Sequence, residues 1–301
     1  MLMRTVNAYL ELRRAAGFDL RTTARLLRNF AGFATEQGDV HVRATTAIAW
    51  AARTLSVSQR DQRLKIVIRL ARHARAEDST HEVPPDDVFA APRVRPLPHI
   101  FTSHEVRQIL EEAGRLGPQD SLRPHTYRTL FGVLASCGLR ISEALALFLD
   151  DVTPDGLLIR ETKFRKSRLV PIHPTTERAV EDYIRRRWKV AGDVEHLFVS
   201  MRGGPIAYPT VSAIFLTIVR KLGLRAAPGH PGPRIHDLRH TFAVRALEAC
   251  PRAEVPGNML ALSTYLGHGH VADTYWYLQV TPQLMTGIAD ACSAYLNGGT
   301  Q

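Results

Sequence analysis

Cysteine, lysine and long apolar runs are all scarce in this sequence, and each scarcity removes a class of protein. The 301 residues include 3 cysteines: Cys137, Cys250 and Cys292. They show no CxxC spacing, so reduced, buried thiols are expected rather than a disulfide frame or a zinc site. No apolar stretch approaches the roughly 18 residues that a membrane span requires. The first residues, MLMRTVNAYLELRRAAG, place charges where a signal peptide needs an apolar core. A cytoplasmic protein with no membrane partner is the expectation. Lysine occurs only at five positions, 65, 163, 166, 189 and 221, among 39 Lys+Arg, so nearly all the positive charge is guanidinium.

What is present has the balance of a globular protein, 45% hydrophobic and 23% charged, and the length suits about two domains. The net charge of +10 is unevenly placed: residues 1–80 hold 14 Lys+Arg against 7 Asp+Glu. A basic domain of this kind points to nucleic acid rather than to a small anionic substrate. Four helices are predicted there, over 3–16, 21–37, 43–53 and 57–77. In the last, Leu64, Val67, Leu70, Ala71 and Ala74 share one side while Lys65, Arg69, Arg72 and Arg75 gather on the other. Acidic partners at i±4 look nearly absent, so these cations read as a phosphate-contacting face.

Residues 79–98, STHEVPPDDVFAAPRVRPLP, carry five prolines and few apolar anchors, the composition of a semi-rigid tether. The division that follows is a helical DNA-binding domain over 1–80, a Pro-rich linker over 81–98 and a second domain over 99–301. The second domain opens on the capping-box pattern Thr102-Ser-His-Glu105. A helix over 125–137, stopped by Gly138, precedes Leu139-Arg140-Ile-Ser-Glu143. LLIRE (157–161) and RLVPI (168–172) read as strands joined by TKFRKS, with Asp155-Gly156 as a turn. Helices follow over 175–190, 208–222 and 236–249, then short helices to Tyr277 and an amphipathic tail over 282–296. The expected fold is mainly α with a small antiparallel β-sheet.

The stretch Arg234–Gln279 is the most distinctive. It carries His236-Asp-Leu-Arg239-His240, then Leu266-Gly-His268, then Tyr277 nine residues after that histidine. On a helix His236, Arg239 and His240 lie along one stripe. Tyr275 and Tyr277 are about 200° apart on a helix and cannot enter one pocket together. Each piece alone has an ordinary explanation: a solvated polar face, a glycine-terminated helix end, a core tyrosine. Their order and spacing together need another.

Metal-free cleavage of a DNA phosphodiester supplies one. It requires a nucleophile, two cationic clamps for the non-bridging oxygens and an acid for the leaving 5′ oxygen. Guanidinium groups answer a phosphorane's charge bidentately, as lysine cannot. A phenol with a reference pKa of about 10 needs nearby positive charge or a base to attack. Covalent capture conserves the bond energy, so rejoining needs no ATP.

The set Arg140, Lys163, His236, Arg239, His268 and Tyr277 occurs in one order, and CGLRISEALAL, the hairpin lysine, HDLRHTFA and LGHGHVADTYWY resemble the tyrosine recombinases (phage integrase family). The N-terminal helices and linker resemble that family's core-binding domain, so the likeness spans nearly the whole chain. It implies a two-domain clamp gripping duplex DNA from opposite sides, without metal or cofactor. Arg140 and Arg239 would bind the scissile phosphate, and Lys163 would protonate the leaving 5′-hydroxyl. His236 and His268 would hydrogen-bond the phosphate and assist proton transfer, and Tyr277 would form the 3′-phosphotyrosyl bond. Glu143 would support the site, as would His240, which shares the helical stripe of His236 and Arg239. The hairpin departs from the family's glycine-containing turn, leaving Lys163 and Lys166 as two candidates; holding RLVPI in register selects Lys163 and leaves Lys166 to contact DNA. The resemblance further implies site-specific recombination through a Holliday junction by a homotetramer on paired sites, alone or with a second recombinase or DNA-bending protein. The tail at 282–296 suits packing either into a neighbour or onto its own domain. The genetic setting would be a mobile element or replicon resolution. The rivals are a type IB-like topoisomerase and a non-catalytic DNA-binding accessory protein of this fold.

Overall fold

The computed structural model of the chain describes residues 1–89, 97–160, 167–226, 232–251 and 255–267, together with His270, Thr274 and Tyr277. They fall into two compact units, Met1–Arg95 and Pro96–Gln301. No helix among the described residues is long and apolar enough to cross a membrane.

The first unit is four helices, α1 (Leu2–Ala15), α2 (Arg21–Glu36), α3 (Ala44–Ala52) and α4 (Val57–Glu77). Helical periodicity puts Ala24, Leu27, Phe30, Ala31 and Ala34 of α2 into the core, where Leu64, Val67, Leu70 and Ala71 of α4 are also buried. Trp50, 1% exposed, meets Phe30 edge-on at 5.4 Å and donates its indole N–H to Asn29 Oδ1 at 2.9 Å. Its amphipathic ring is thus satisfied at both ends, and truncating it would cost about 3–5 kcal/mol.

The unit does not stop where the proline-rich composition begins. His81 is buried and its Nδ1 accepts from Val42 N at 3.0 Å. The Glu82 carboxylate accepts from Ala44 N at 2.8 Å and from Arg43 Nη1 at 2.9 Å, supplying the N-terminal cap that Arg43 itself does not give α3. Val83 and Phe89 pack on the core. Residues 81–89, expected in the tether, therefore pack on the first unit. Their anchors are long-range polar contacts that composition does not reveal.

The second unit contains α5 (Ser103–Ala113), α6 (Arg123–Cys137), α7 (Ile141–Leu145), a 3-10 turn (Leu149–Asp151), β1 (Val152–Thr153), β2 (Gly156–Ile159), β3 (Arg168–Val170), α8 (Pro174–Ala191), α9 (Tyr208–Lys221), α10 (Asp237–Glu248) and α11 (Val255–Leu266). The reciprocal capping box of Thr102 and Glu105 is formed. The sheet is antiparallel in the order β1-β2-β3, with Leu157 opposite Val170 and Ile159 opposite Arg168. The mostly helical chain thus carries a small antiparallel sheet, as expected, plus the two-residue β1. Gly156 has φ +131°, and a Cβ there would lie 2.3 Å from the Val170 carbonyl oxygen; only glycine lets the hairpin close this tightly. Phe101, Phe131 and Phe215, from the lead into α5, α6 and α9, meet edge-on in the core. Phe101 N donates to Thr241 Oγ1 at 2.9 Å, tying α10 to that core.

Candidate active site

Four segments meet at the C-terminal end of α11. The last carbonyls of a helix have no partner within it and carry the negative end of its dipole. Here they are met by guanidinium groups. Arg140 donates from Nη1 to Leu266 O at 3.3 Å and from Nη2 to Gly267 O at 3.0 Å. Arg239 Nη2 reaches the same Leu266 oxygen at 2.7 Å, while its Nη1 donates to Gly138 O at 2.8 Å. Arg168 Nε donates to Tyr265 O at 2.8 Å.

Backbone punctuation makes this approach possible. Gly138 ends α6 in the left-handed conformation, φ +60°, and turns the chain so that Arg140 stands at the N-cap of α7. Gly267, φ +65°, ends α11, and a Cβ there would meet Arg168 Nη1 at 2.8 Å.

Glu143 sits among the three arginines. Its Oε1 accepts from Arg140 Nη1 at 2.7 Å and Arg168 Nη1 at 3.1 Å. Its Oε2 accepts from Arg140 N at 3.0 Å and Arg168 Nη2 at 2.8 Å. Arg239 Nη1 lies 3.9 Å from Oε2. Burial alone would raise this carboxyl's pKa, but the hydrogen bonds from Arg168 and Arg140 outweigh it and hold the group below the usual carboxylate range. Arg239, 2% exposed, is pulled down to about 10 by burial and then by the Arg140 charge, so it stays cationic at neutral pH.

His236 stands exposed at the N-cap of α10, one turn before the buried His240. Their rings meet edge-on at 4.6 Å, which is the one-stripe arrangement that i, i+4 spacing requires. Although solvent reaches part of the residue, the protein packed around its ring, followed by the Arg239 charge, lowers His236 to about 4 against the pull of Asp237. Its imidazole is therefore neutral at pH 7, able to donate from one nitrogen and accept at the other. Tyr277, 2% exposed, packs with Ala243, Val244, Leu247 and Leu266. Its ring centroid is 5.6 Å from that of His240.

Arg140, Glu143, Arg239, His236, His240 and Tyr277 thus share one neighbourhood. Lys163, Lys166, His268, Tyr275 and the tail at 282–296 lie outside the described residues. Arg168, which the sequence analysis did not single out, belongs to the group. Its only sequence signal is an arginine opening a strand after a basic turn. Asp237 was also missed; its buried carboxylate accepts from Arg234 N at 2.8 Å and pins the start of α10. Chemically the site offers two guanidinium groups with N–H donors left over and a neutral imidazole. A buried phenol lies beside them. This is a constellation suited to a tetrahedral oxyanion.

In the first unit, Arg69 and Arg75 are exposed on α4. Arg72 lies 3.6 Å from Asp86. Lys65 is bound to Asp61 at 2.7 Å, an i, i+4 pair. Asp61 is the one acidic residue four positions from any of these four cations, in keeping with a face nearly without acidic partners at that spacing.

Residues 99–283 match the phage integrase family. A putative integrase/recombinase, y4rB of Sinorhizobium fredii (strain NBRC 101917 / NGR234), is 39% identical over 294 residues, covering 94% of this chain and 94% of that protein. Among solved structures, the XerH site-specific recombinase bound to palindromic difH in a post-cleavage complex matches with TM-score 0.66 and 17% identity, over 90% of this chain and 78% of that one. A lambda integrase tetramer bound to a Holliday junction matches with TM-score 0.63 and 16% identity, over 92% and 76%. At such identities the structural matches speak for the fold alone.

Proposed function

The chain belongs to the phage integrase family of tyrosine recombinases, and from that premise we propose that it cuts and rejoins DNA at specific sites through a 3′-phosphotyrosyl intermediate and a Holliday junction. The observation that carries this reading is the convergence of Arg140 and Arg239 on the Leu266 carbonyl, with Tyr277 packed beside them against His240. Two guanidinium groups fixed by backbone oxygens are preorganised for the non-bridging oxygens of one phosphate, so little reorganisation is needed as charge develops. In this reading the Tyr277 oxygen attacks phosphorus and expels the 5′ oxygen, which Lys163 protonates. His236 and His268 hydrogen-bond the phosphate and help move the phenolic proton. Reversal with a 5′-hydroxyl from the partner duplex rejoins the strand, so neither ATP nor a metal enters the balance.

The working form would be a homotetramer on paired sites, with residues 1–80 and the catalytic domain on opposite faces of each duplex. The setting would be a mobile element or replicon resolution.

The test is trapping on nicked duplexes made from sequences that the protein enriches from a random pool. Wild type is expected to give a detergent-resistant covalent adduct. Tyr277→Phe deletes one oxygen and should lose that adduct while keeping affinity and stability; Tyr275→Phe should keep it. Tight binding by wild type with no adduct on any enriched site would favour the accessory-protein reading. An adduct that survives in Tyr277→Phe would mean another nucleophile.

A further inference from the structure

Of the three arginines at the end of α11, Arg168 is the most turned away from solvent after Arg239: its side chain is 13% exposed against 30% for Arg140. Each of its three nitrogens is engaged with protein: Nε with Tyr265 O, Nη1 and Nη2 with the two oxygens of Glu143. Together with Arg140 it fills both oxygens of Glu143 with two donors each. A carboxylate offers about four acceptor positions, so this one is saturated. The Arg168 guanidinium also occupies the space where a Cβ on residue 267 would stand. The glycine of the Leu-Gly-His turn is therefore matched to this arginine as well as to the left-handed backbone.

We propose that Arg168 is a positioning residue: it locks the Glu143 carboxylate and the C-terminal turn of α11 into one frame, and that frame sets the direction of the Arg140 guanidinium before DNA arrives. This rests on the reading above that Arg140 clamps the phosphate. The planar fork is essential to the assignment. One guanidinium reaches three acceptors in fixed directions, and a lysine ammonium at the end of a flexible stem cannot hold that geometry. Without Arg168 the buried Glu143 loses half its donors, and the pull that orients Arg140 slackens. Arg168 does not itself touch DNA in this assignment, so overall affinity, which is set by many phosphate contacts, is left in place.

The experiment compares Arg168→Ala and Arg168→Lys with wild type in the full chain. Three quantities are read: DNA affinity, single-turnover adduct formation on the nicked substrate between pH 5 and 8, and the titration of Glu143 by carbon NMR, assigned with Glu143→Gln. Loss of a group that orients a transition-state contact lowers the rate and spares binding. Arg168→Ala is expected to slow adduct formation by about 100-fold or more with affinity within about threefold, and added guanidinium ion should recover part of the rate. Arg168→Lys should recover less than about a tenth of it. The Glu143 carboxyl should titrate at higher pH in both variants, and the rate should gain an acidic limb that tracks this titration.

Adduct formation within about threefold of wild type in Arg168→Ala would overturn the proposal. So would an affinity loss as large as the rate loss, which would make Arg168 a DNA contact. Should Arg168→Ala fail to fold, Arg168→Lys carries the test, and full activity or an unmoved Glu143 titration in that variant overturns the proposal equally. Absence of any wild-type adduct with a shifted Glu143 titration would count against the recombinase reading and leave the positioning of Glu143 standing.

Discussion

Arg140 and Arg239 donate to the same backbone oxygen, that of Leu266, at 3.3 and 2.7 Å. One helix end therefore sets the spacing of both guanidinium groups. Arg239 is held additionally by Gly138 O, so the two glycine-terminated helix ends, of α6 and α11, act together as the jig for the pair.

Gly138→Ala tests the first of those ends. The left-handed φ costs a non-glycine residue about 1–2 kcal/mol, and the added Cβ would lie 2.4 Å from Phe242 Cδ1, an overpacking worth about 1–3 kcal/mol. Urea unfolding should show a loss in the combined range. Adding Phe242→Leu is expected to return only the steric share. A neutral Gly138→Ala would mean that the turn relaxes freely.

His236 gives a pH dependence. Its folded pKa, about 4, lies below the ordinary value near 6.5. Its contribution is thus fully present above pH 6.5 and is lost as pH falls through that window toward 4. The residue is exposed, so solvent screening should hold the effect to less than about 1 kcal/mol. His236→Gln is expected to flatten the stability profile between pH 6.5 and 4 by that small amount. An NMR midpoint for His236 at or above 6.5 would show that the ring is solvated and that its desolvation and the neighbouring guanidinium groups leave its titration unmoved.

Arg187 is 0% exposed and donates to the carbonyls of Gly192, Val194, His196 and Leu197. Arg187→Met keeps much of the stem and orphans these acceptors together, an expected loss of roughly 3–5 kcal/mol. The loop they form pairs with the chain beyond α7 through Leu197 N and Leu147 O. Hydrogen exchange should therefore quicken from Gly192 to Leu197 and at Leu147–Leu149. A cost under about 1 kcal/mol would imply that water replaces the guanidinium.

The cationic face of α4 is tested by salt. Each phosphate contact contributes about 0.9 to the slope of log affinity against log salt. Neutralising Arg69 and Arg75 should reduce the slope by about 2. Lys65→Ala should change it less, because Asp61 already holds that ammonium at 2.7 Å. A slope unchanged in Arg69→Gln/Arg75→Gln removes this helix from the DNA interface.

Local chemistry made much of this legible. The Thr102–Glu105 box, the glycine stop of α6 and the His236–Arg239–His240 stripe are decided within one helical turn, and each is where its spacing put it. Arg140, Glu143 and Arg239 were legible because their motifs are distinctive in combination. Arg168 was not, since its partners Glu143 and Tyr265 are 25 and 97 residues away and a strand position says nothing of either. The packing of residues 81–89 escaped for the same reason: His81 finds Val42 across 39 residues. The Lys65–Asp61 pair is different. It is four residues apart, so helical spacing alone brings the two groups together.

The end of α11 has no local version. Its last carbonyls are held from α6–α7, from β3 and from α10, so no excised peptide and no half-formed domain contains the anion-ready arrangement. Proteolytic fragments that lose β3, or folding intermediates in which α11 has yet to dock, would retain basic surface for nucleic acid while lacking the aligned guanidinium pair. Competence at this site is therefore a property of the completed second unit, in which its most distant segments have met.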